Sequence, residues 1–257
     1  METNQAVYER DAEIYSDLSL MPAEQAVLSL LGEHWPKIEM LDVGVGTGRT
    51  AYTFAAVAGR YVGIDYSPRM IELARRLLDD SDGRVELSVG DARDLAPLGG
   101  SFDFILFSYN GLDSVSHEDR LKILTEFRRV LKPDGHFFFS SHSMNALPLK
   151  AQRPRGKRRS SLHAAYSWAR YARHLRRARK VNKELDLDAG RQRGWMIVRD
   201  GAHGFELRVY YVDPSYQLEQ LREAGFETIA IYDGSGRRVE VEDAGSDPWL
   251  HYLCRPA

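Results

Sequence analysis

The chain has 257 residues, 43% of them hydrophobic, and one cysteine, Cys254. That length closes a core burying roughly three quarters of the unfolded surface without staples, and a single thiol excludes an internal disulfide framework and a cysteine-based zinc site. The formal charge of −2 hides an asymmetry: residues 150–183 carry 13 Lys or Arg and no acid, leaving 22 bases against 37 acids in the other 223 residues, a balance of −15. The start, METNQAVYERDAEIY, has no basic-then-apolar signal pattern, and no apolar run reaches the roughly 18 residues needed to span a bilayer. A soluble, cytoplasmic protein is expected.

In chain order, a polar segment with Tyr8 and Tyr15 comes first, followed by a helix over 22–31 with enough apolar residues to anchor it. Strand-like and helix-like stretches then alternate. Short, bounded apolar runs at 38–43, 61–64, 85–89, 102–107 and 135–140 read as buried parallel strands. Ser67 before Pro68 marks a helix start, with Met70, Leu73, Ala74 and Leu77 on one face. Ser116 with Asp119 opens a second helix, and Asp213 with Pro214 a third that Gly225 stops. The rhythm breaks between 143 and 204. A helix over 161 to about 185 and two strands, 195–199 and 205–211, flanking the turn DGAHG predict an inserted helix plus hairpin. Strands at 227–232 and 249–254 finish the sheet, closely enough spaced to form an antiparallel edge pair.

The chemistry concentrates where these strands end. LDVGVGTGRT, residues 41–50, closes a strand on Gly44, Gly46 and Gly48, which let the backbone pass close under a ligand before a helix begins. It lacks the Lys-Ser/Thr of a P-loop, its spacing is GxGxG rather than GxGxxG, and Asp42 precedes it. Asp65, next to Tyr66 at the end of the second strand, is placed to accept two hydrogen bonds from a ribose diol. Asp91 ends the third. Glycines and acids at successive strand ends converge on one crevice, the ligand site of an open α/β sheet.

At these residues the sequence resembles the class I S-adenosylmethionine-dependent methyltransferases of the small-molecule type, over 38–142 and more loosely beyond. LDVGVGTG, Asp65, Asp91 with Ala92, and LKPDGHFFFSS carry the likeness; the last departs from the commoner LKPGG by Asp134. The resemblance implies S-adenosylmethionine as cofactor, with Gly44 and Gly46 under its methionine part, Asp65 on the ribose, Met70 on the adenine face and Asp91 at the adenine amino group. Phe107 and Ser108 would border the methyl end, and the N-terminal segment with Tyr15 would fold over the cofactor as a lid. Plain helix packing explains Met70 equally well. Members that methylate a nucleobase amino group carry Asn or Asp, two prolines and an aromatic after the fourth strand, whereas this chain has SYNGLDSVSH. Asn110 there either positions an acceptor or serves the turn.

A sulfonium methyl is already electrophilic, so the reaction demands alignment and exclusion of water, and a base only if the acceptor carries a proton. The candidates are His142, at the end of the fifth strand, His117, Tyr15 and Asp113; either histidine also reads as structural. The expected architecture is a doubly wound, mostly parallel seven-stranded sheet: a lid over 1–37, the cofactor-binding core over 38–142, a basic cap over 143–211 and a C-terminal completion over 212–257. The expected reaction is methyl transfer to an oxygen or nitrogen of a small, anionic metabolite, without metal. The alternatives are an RNA methyltransferase using the basic cap, although nucleic acid is not the expected partner, and a cofactor-binding protein without catalysis. Neither the acceptor nor the oligomeric state is legible.

Overall fold

The computed structural model describes residues 2–14, 17–78, 83–147 and 161–257. The chain enters through α1 (Glu2–Arg10) and α2 (Pro22–Leu31), then alternates β1 (Glu39–Val43), α3 (Ala51–Val57), β2 (Arg60–Asp65), α4 (Pro68–Leu77), β3 (Val85–Val89), β4 (Phe102–Phe107), α5 (His117–Val130) and β5 (Leu131–Ser143). There follow α6 (Ser161–Val181), α7 (Leu187–Arg193), β6 (Trp195–Arg199) and β7 (Arg208–Val212), and then α8 (Pro214–Glu223), β8 (Phe226–Tyr232), β9 (Arg238–Val239) and β10 (Trp249–Pro256). The sheet runs β3-β2-β1-β4-β5-β10-β8-β9. β1 to β5 pair in parallel and β10 is antiparallel to both neighbours.

The strands are continuous apolar runs because both faces are covered. Leu41, Val43, Ile105 and Phe107 join the cluster under α5 and α8, while Met40, Phe104 and Leu106 join the one under α2 and α3. Alternate side chains of one strand thus feed two cores. The helix starts follow the sequence signals: Ser67 Oγ accepts from Met70 N, Ser116 Oγ from Asp119 N, and Asp213 from the amides of Ser215 and Tyr216.

Four expectations change. β5 runs well past residue 140, because its end pairs in parallel with β7 at His142↔Tyr211 and Ser143↔Val212. The hairpin of β6 and β7 therefore joins the main sheet, which with β9 reaches ten strands rather than seven. The long helix stops at Val181 and α7 follows, capped by Asp186; the second hairpin strand starts only at Arg208, after a tight turn in which His203 and Phe205 have φ of 46° and 69°. β10 is no edge strand, since it lies between β5 and β8 and the two-residue β9 takes the edge. The proline- and arginine-rich stretch 148–160 lies outside the described residues, as does Tyr15.

α1 is held from both sides. Asn4 donates to the carbonyls of Ser114 (3.0 Å) and Arg208 (2.9 Å) and accepts from Arg208 N (3.1 Å), while Gln5 donates to the Tyr66 carbonyl (3.0 Å). Val7 packs with Met196, Val209 and Tyr211 of the hairpin.

Candidate active site

A cavity of about 480 Å³ opens at the carboxyl ends of β1, β2 and β4, under α1 and the start of α2. Gly44 and Gly46 form its floor with φ of 66° and 57°. A β-carbon on Gly44 would stand 2.9 Å from the Phe107 ring, and one on Gly111 2.0 Å, so both glycines make room for Phe107 on the cavity wall. Gly48 serves the fold: its φ is 98° and a β-carbon would meet Leu77 at 3.0 Å, where the loop packs on α4.

Asp65 is buried on the same wall. Its Oδ2 accepts from Gly46 N and its Oδ1 from Ser67 N, each at 2.9 Å, which locks the carboxylate against the glycine loop and leaves lone pairs for a ligand. Burial raises its pKa, and the two amides work against that rise. Tyr66, Met70, Asp91, Ala92, Phe107 and Ser108 also line the cavity. Asp91 is clasped by the Arg93 side chain and backbone, with Nε at 2.9 and 3.1 Å, and this guanidinium lowers its pKa. Asp42 is not on the wall. It is fully buried, accepts from Thr50 Oγ1 (2.5 Å) and Tyr61 OH (2.6 Å), and burial pushes its carboxyl up to about 7, so it braces the loop from beneath.

At the opposite end is a group the sequence reading missed. Arg49 forms a bidentate pair with Glu24 (2.6 and 2.7 Å) and donates to Ser108 Oγ (2.8 Å), which in turn donates to Glu24. Glu24 is wholly buried, and Met21 N donates to it at 2.7 Å. Burial drives its carboxyl upward, yet Arg49 together with Ser108 and the Met21 amide outweighs this and the net shift is downward. The available signals were Arg49 directly after the glycine loop and Glu24 three residues after the helix cap; nothing local says that the two meet.

The predicted bases fall elsewhere. His117 Nδ1 lies 2.8 Å from Tyr210 OH and its ring stacks on Trp195 at 4.4 Å; burial lowers its pKa, and it does not line the cavity. His142 stands behind the wall, with Nδ1 2.8 Å from Asp113 Oδ2. Asn110 has φ of 59°, next to Tyr109 at 52°, and a buried Oδ1 with no hydrogen-bond partner among the described residues; its backbone makes the turn, donating to Ser140 Oγ. Arg173, Arg176, Arg177, Arg179 and Lys180 of α6 are exposed and away from the cavity. Among the described residues no cluster of His, Cys, Asp and Glu is arranged to hold a metal, and no helix is long and apolar enough to cross a membrane.

Strand order, the antiparallel β10 and a glycine loop facing a buried acid across one crevice define the fold of the class I S-adenosylmethionine-dependent methyltransferases. Residues 40–135 match the model of the methyltransferase domain family. The ubiquinone/menaquinone biosynthesis C-methyltransferase of Citrifermentans bemidjiense is 39% identical over 115 residues, 43% of this chain and 48% of that protein. The chain thus matches about half the length of such relatives. In fold, an S-adenosylmethionine-dependent methyltransferase of Clostridium acetobutylicum superposes with a TM-score of 0.62 at 15% identity, covering 98% of this chain and 97% of the other. The glycopeptide N-methyltransferase MtfA in complex with S-adenosylmethionine gives 0.59 at 16% identity, covering 95% and 96%.

Proposed function

We propose that this chain is an enzyme transferring the methyl group of S-adenosylmethionine to a small-molecule acceptor. The observation that carries this reading is Asp65, a desolvated carboxylate fixed by two backbone amides on a floor of side-chain-free glycines. A ribose diol donating to it regains for that carboxylate the hydrogen bonds that burial removed. Met70 and Ala92 supply apolar contact for a purine, with Asp91 at the rim. Arg49, on the cavity wall and held in place by the buried Glu24 behind it, offers its guanidinium to the carboxylate of an amino-acid end. The cavity volume falls in the range of ligand sites.

When bound, the cofactor supplies an electrophilic methyl on a sulfonium. What the chain contributes is alignment and dryness: Phe107 and Tyr109 wall the methyl end, and Tyr8, hydrogen-bonded to Ser114 Oγ at 3.2 Å, covers it from α1. Relatives named for ubiquinone/menaquinone biosynthesis support a small acceptor over RNA, and the exposed bases of α6 are not part of this cavity. Calorimetric titration with S-adenosylmethionine and S-adenosylhomocysteine tests the reading. Both are expected to bind. Absence of heat with either removes the proposal.

A further inference from the structure

Charge is segregated along this chain: residues 150–183 carry 13 Lys or Arg and no acid, while 22 bases face 37 acids in the rest. The helix α6 falls within that segment, and at about 3.6 residues per turn its side chains divide into two halves. Leu175, Ala178 and Val181 are half-buried on one. Just past the helix Asn182 exchanges two hydrogen bonds with the Arg199 backbone (2.9 and 3.0 Å), and at one edge the Arg177 guanidinium lies 5.9 Å from the Phe205 ring centroid. The other half holds Arg173, Arg176, Arg177, Arg179 and Lys180, all exposed and with no acid between them. An acidic body could fold back on such a face and neutralise it. It does not: among the described residues no carboxylate pairs with Arg173, Arg176, Arg179 or Lys180. The acids on the elements that α6 touches are committed elsewhere, Asp200 to the Tyr211 hydroxyl (2.8 Å), Glu206 to Arg10 (2.8 Å) and Asp186 to the cap of α7, while Glu184 meets Lys183 at 3.6 Å. The outer half of α6 therefore presents a field of one sign to solvent.

We infer that this outer half of α6 is a docking surface for an anionic lipid bilayer. Charge complementarity requires an anionic partner, and the shape of the face selects a bilayer among them. Single-stranded nucleic acid is held in basic grooves that offer successive aromatic platforms. The described face is instead the convex side of one helix, with one aromatic, Trp168, 52% exposed. Ala169 and Ala172, small and exposed, flank that ring on the same half, so it can reach headgroup level, where an amphipathic ring is favoured. The bases follow along the axis from Arg173 to Lys180, over about 11 Å. A leaflet presents anionic headgroups laterally at any spacing, so a row of bases needs no register to find its partners. The helix lies on the surface and does not cross it, since no helix among the described residues is long and apolar enough to do so. Each Arg or Lys at an anionic leaflet strengthens attachment about fivefold, so four of them together account for about 100–1,000-fold. None of these residues lines the cavity, and attachment leaves it intact.

The test is co-sedimentation of the full chain with vesicles of phosphatidylcholine and phosphatidylglycerol, set against vesicles of phosphatidylcholine alone. Sedimentation is expected with the first and not with the second. Raising the ionic strength from about 0.1 M to about 1 M shortens the Debye length from about 10 Å to about 3 Å and should release the protein. The quadruple variant Arg173→Gln, Arg176→Gln, Arg179→Gln and Lys180→Gln keeps good helix formers at exposed positions and should lose about 100–1,000-fold in vesicle affinity, with melting temperature and S-adenosylmethionine affinity unchanged. Should that variant not fold, the salt titration of the native chain decides. No sedimentation with the anionic vesicles, equal sedimentation with the uncharged ones, attachment indifferent to salt, or a folded variant that sediments as the native chain does overturns the proposal. Tighter binding to single-stranded RNA than to anionic vesicles at equal phosphate concentration overturns it in favour of nucleic acid. None of these readouts depends on methyl transfer.

Discussion

Replacing Arg49 by Leu separates the two jobs assigned to it. The substitution removes the cation that hydrogen-bonds a wholly buried carboxylate, Glu24, at 2.6 and 2.7 Å, together with a bond to Ser108 and a ring contact 5.4 Å from the Tyr109 centroid. Breaking a buried pair on one side costs about 3–5 kcal/mol. The sign of the pH dependence should also invert. In the native chain the Glu24 pKa is depressed, so its stabilisation is present above the unfolded value and lost on acidification; without Arg49, burial raises the pKa and stability falls as pH increases. The double variant Glu24→Leu with Arg49→Leu should recover most of the stability, since no charge is left stranded. It should not recover cofactor affinity. Loss of a charge-assisted contact worth about 1.5–3 kcal/mol weakens binding about 10–150-fold in both variants. Urea denaturation at pH 5 and 7, read at constant m, and calorimetric titration measure these quantities. A single variant as stable as the double, or one that binds S-adenosylmethionine as the native chain does, would refute the reasoning.

Asp65→Ala should weaken S-adenosylmethionine by about 10–150-fold by the same hydrogen-bond magnitude, and should lower stability as well, because the amides of Gly46 and Ser67 lose their acceptor; an unchanged titration would move the ribose site elsewhere. Asp42, whose carboxyl burial raises to about 7, keeps its proton in the folded chain where the unfolded chain has lost it, so stability should fall by up to about 4 kcal/mol between pH 4 and pH 7. Asp42→Asn should flatten that slope in denaturation series, and an identical slope would rule the assignment out. Gly111→Ala drives a methyl to 2.0 Å from the Phe107 ring; overpacking should cost about 1–3 kcal/mol and tilt the ring toward the glycine loop, lowering cofactor affinity, whereas a neutral melting temperature would mean that the turn shifts freely.

Much of this was legible in one dimension. The glycine loop, Asp65 at a strand end and Ser67-Pro68 at a helix start are local signals, each produced by the backbone and the next few residues, and so the sequence alone points to the parallel core and to the crevice beside Asp65. What escaped was non-local. Asp42 and Asp65 look alike in sequence, both acids at the end of apolar runs. Only the positions of Thr50 and Tyr61 turn the first inward, and only those of Gly46 and Ser67 hold the second at the cavity. Sequence position favours His142 over His117 as a base, but only the fold sets Asp113 beside the first and Tyr210 and Trp195 beside the second, and neither lines the cavity.

By itself, then, the sequence determined the alternation of strand and helix and the nucleotide-type turn, because apolar periodicity, caps and glycine φ freedom act within a few residues. Tertiary structure alone decided that β10 lies inside the sheet, that the late hairpin extends β5, and which charges meet: Glu24 with Arg49, and Asp113 with Arg120 and His142. Those pairings join side chains up to dozens of residues apart, and desolvation, which makes each of them matter, exists only once both faces of the sheet are covered.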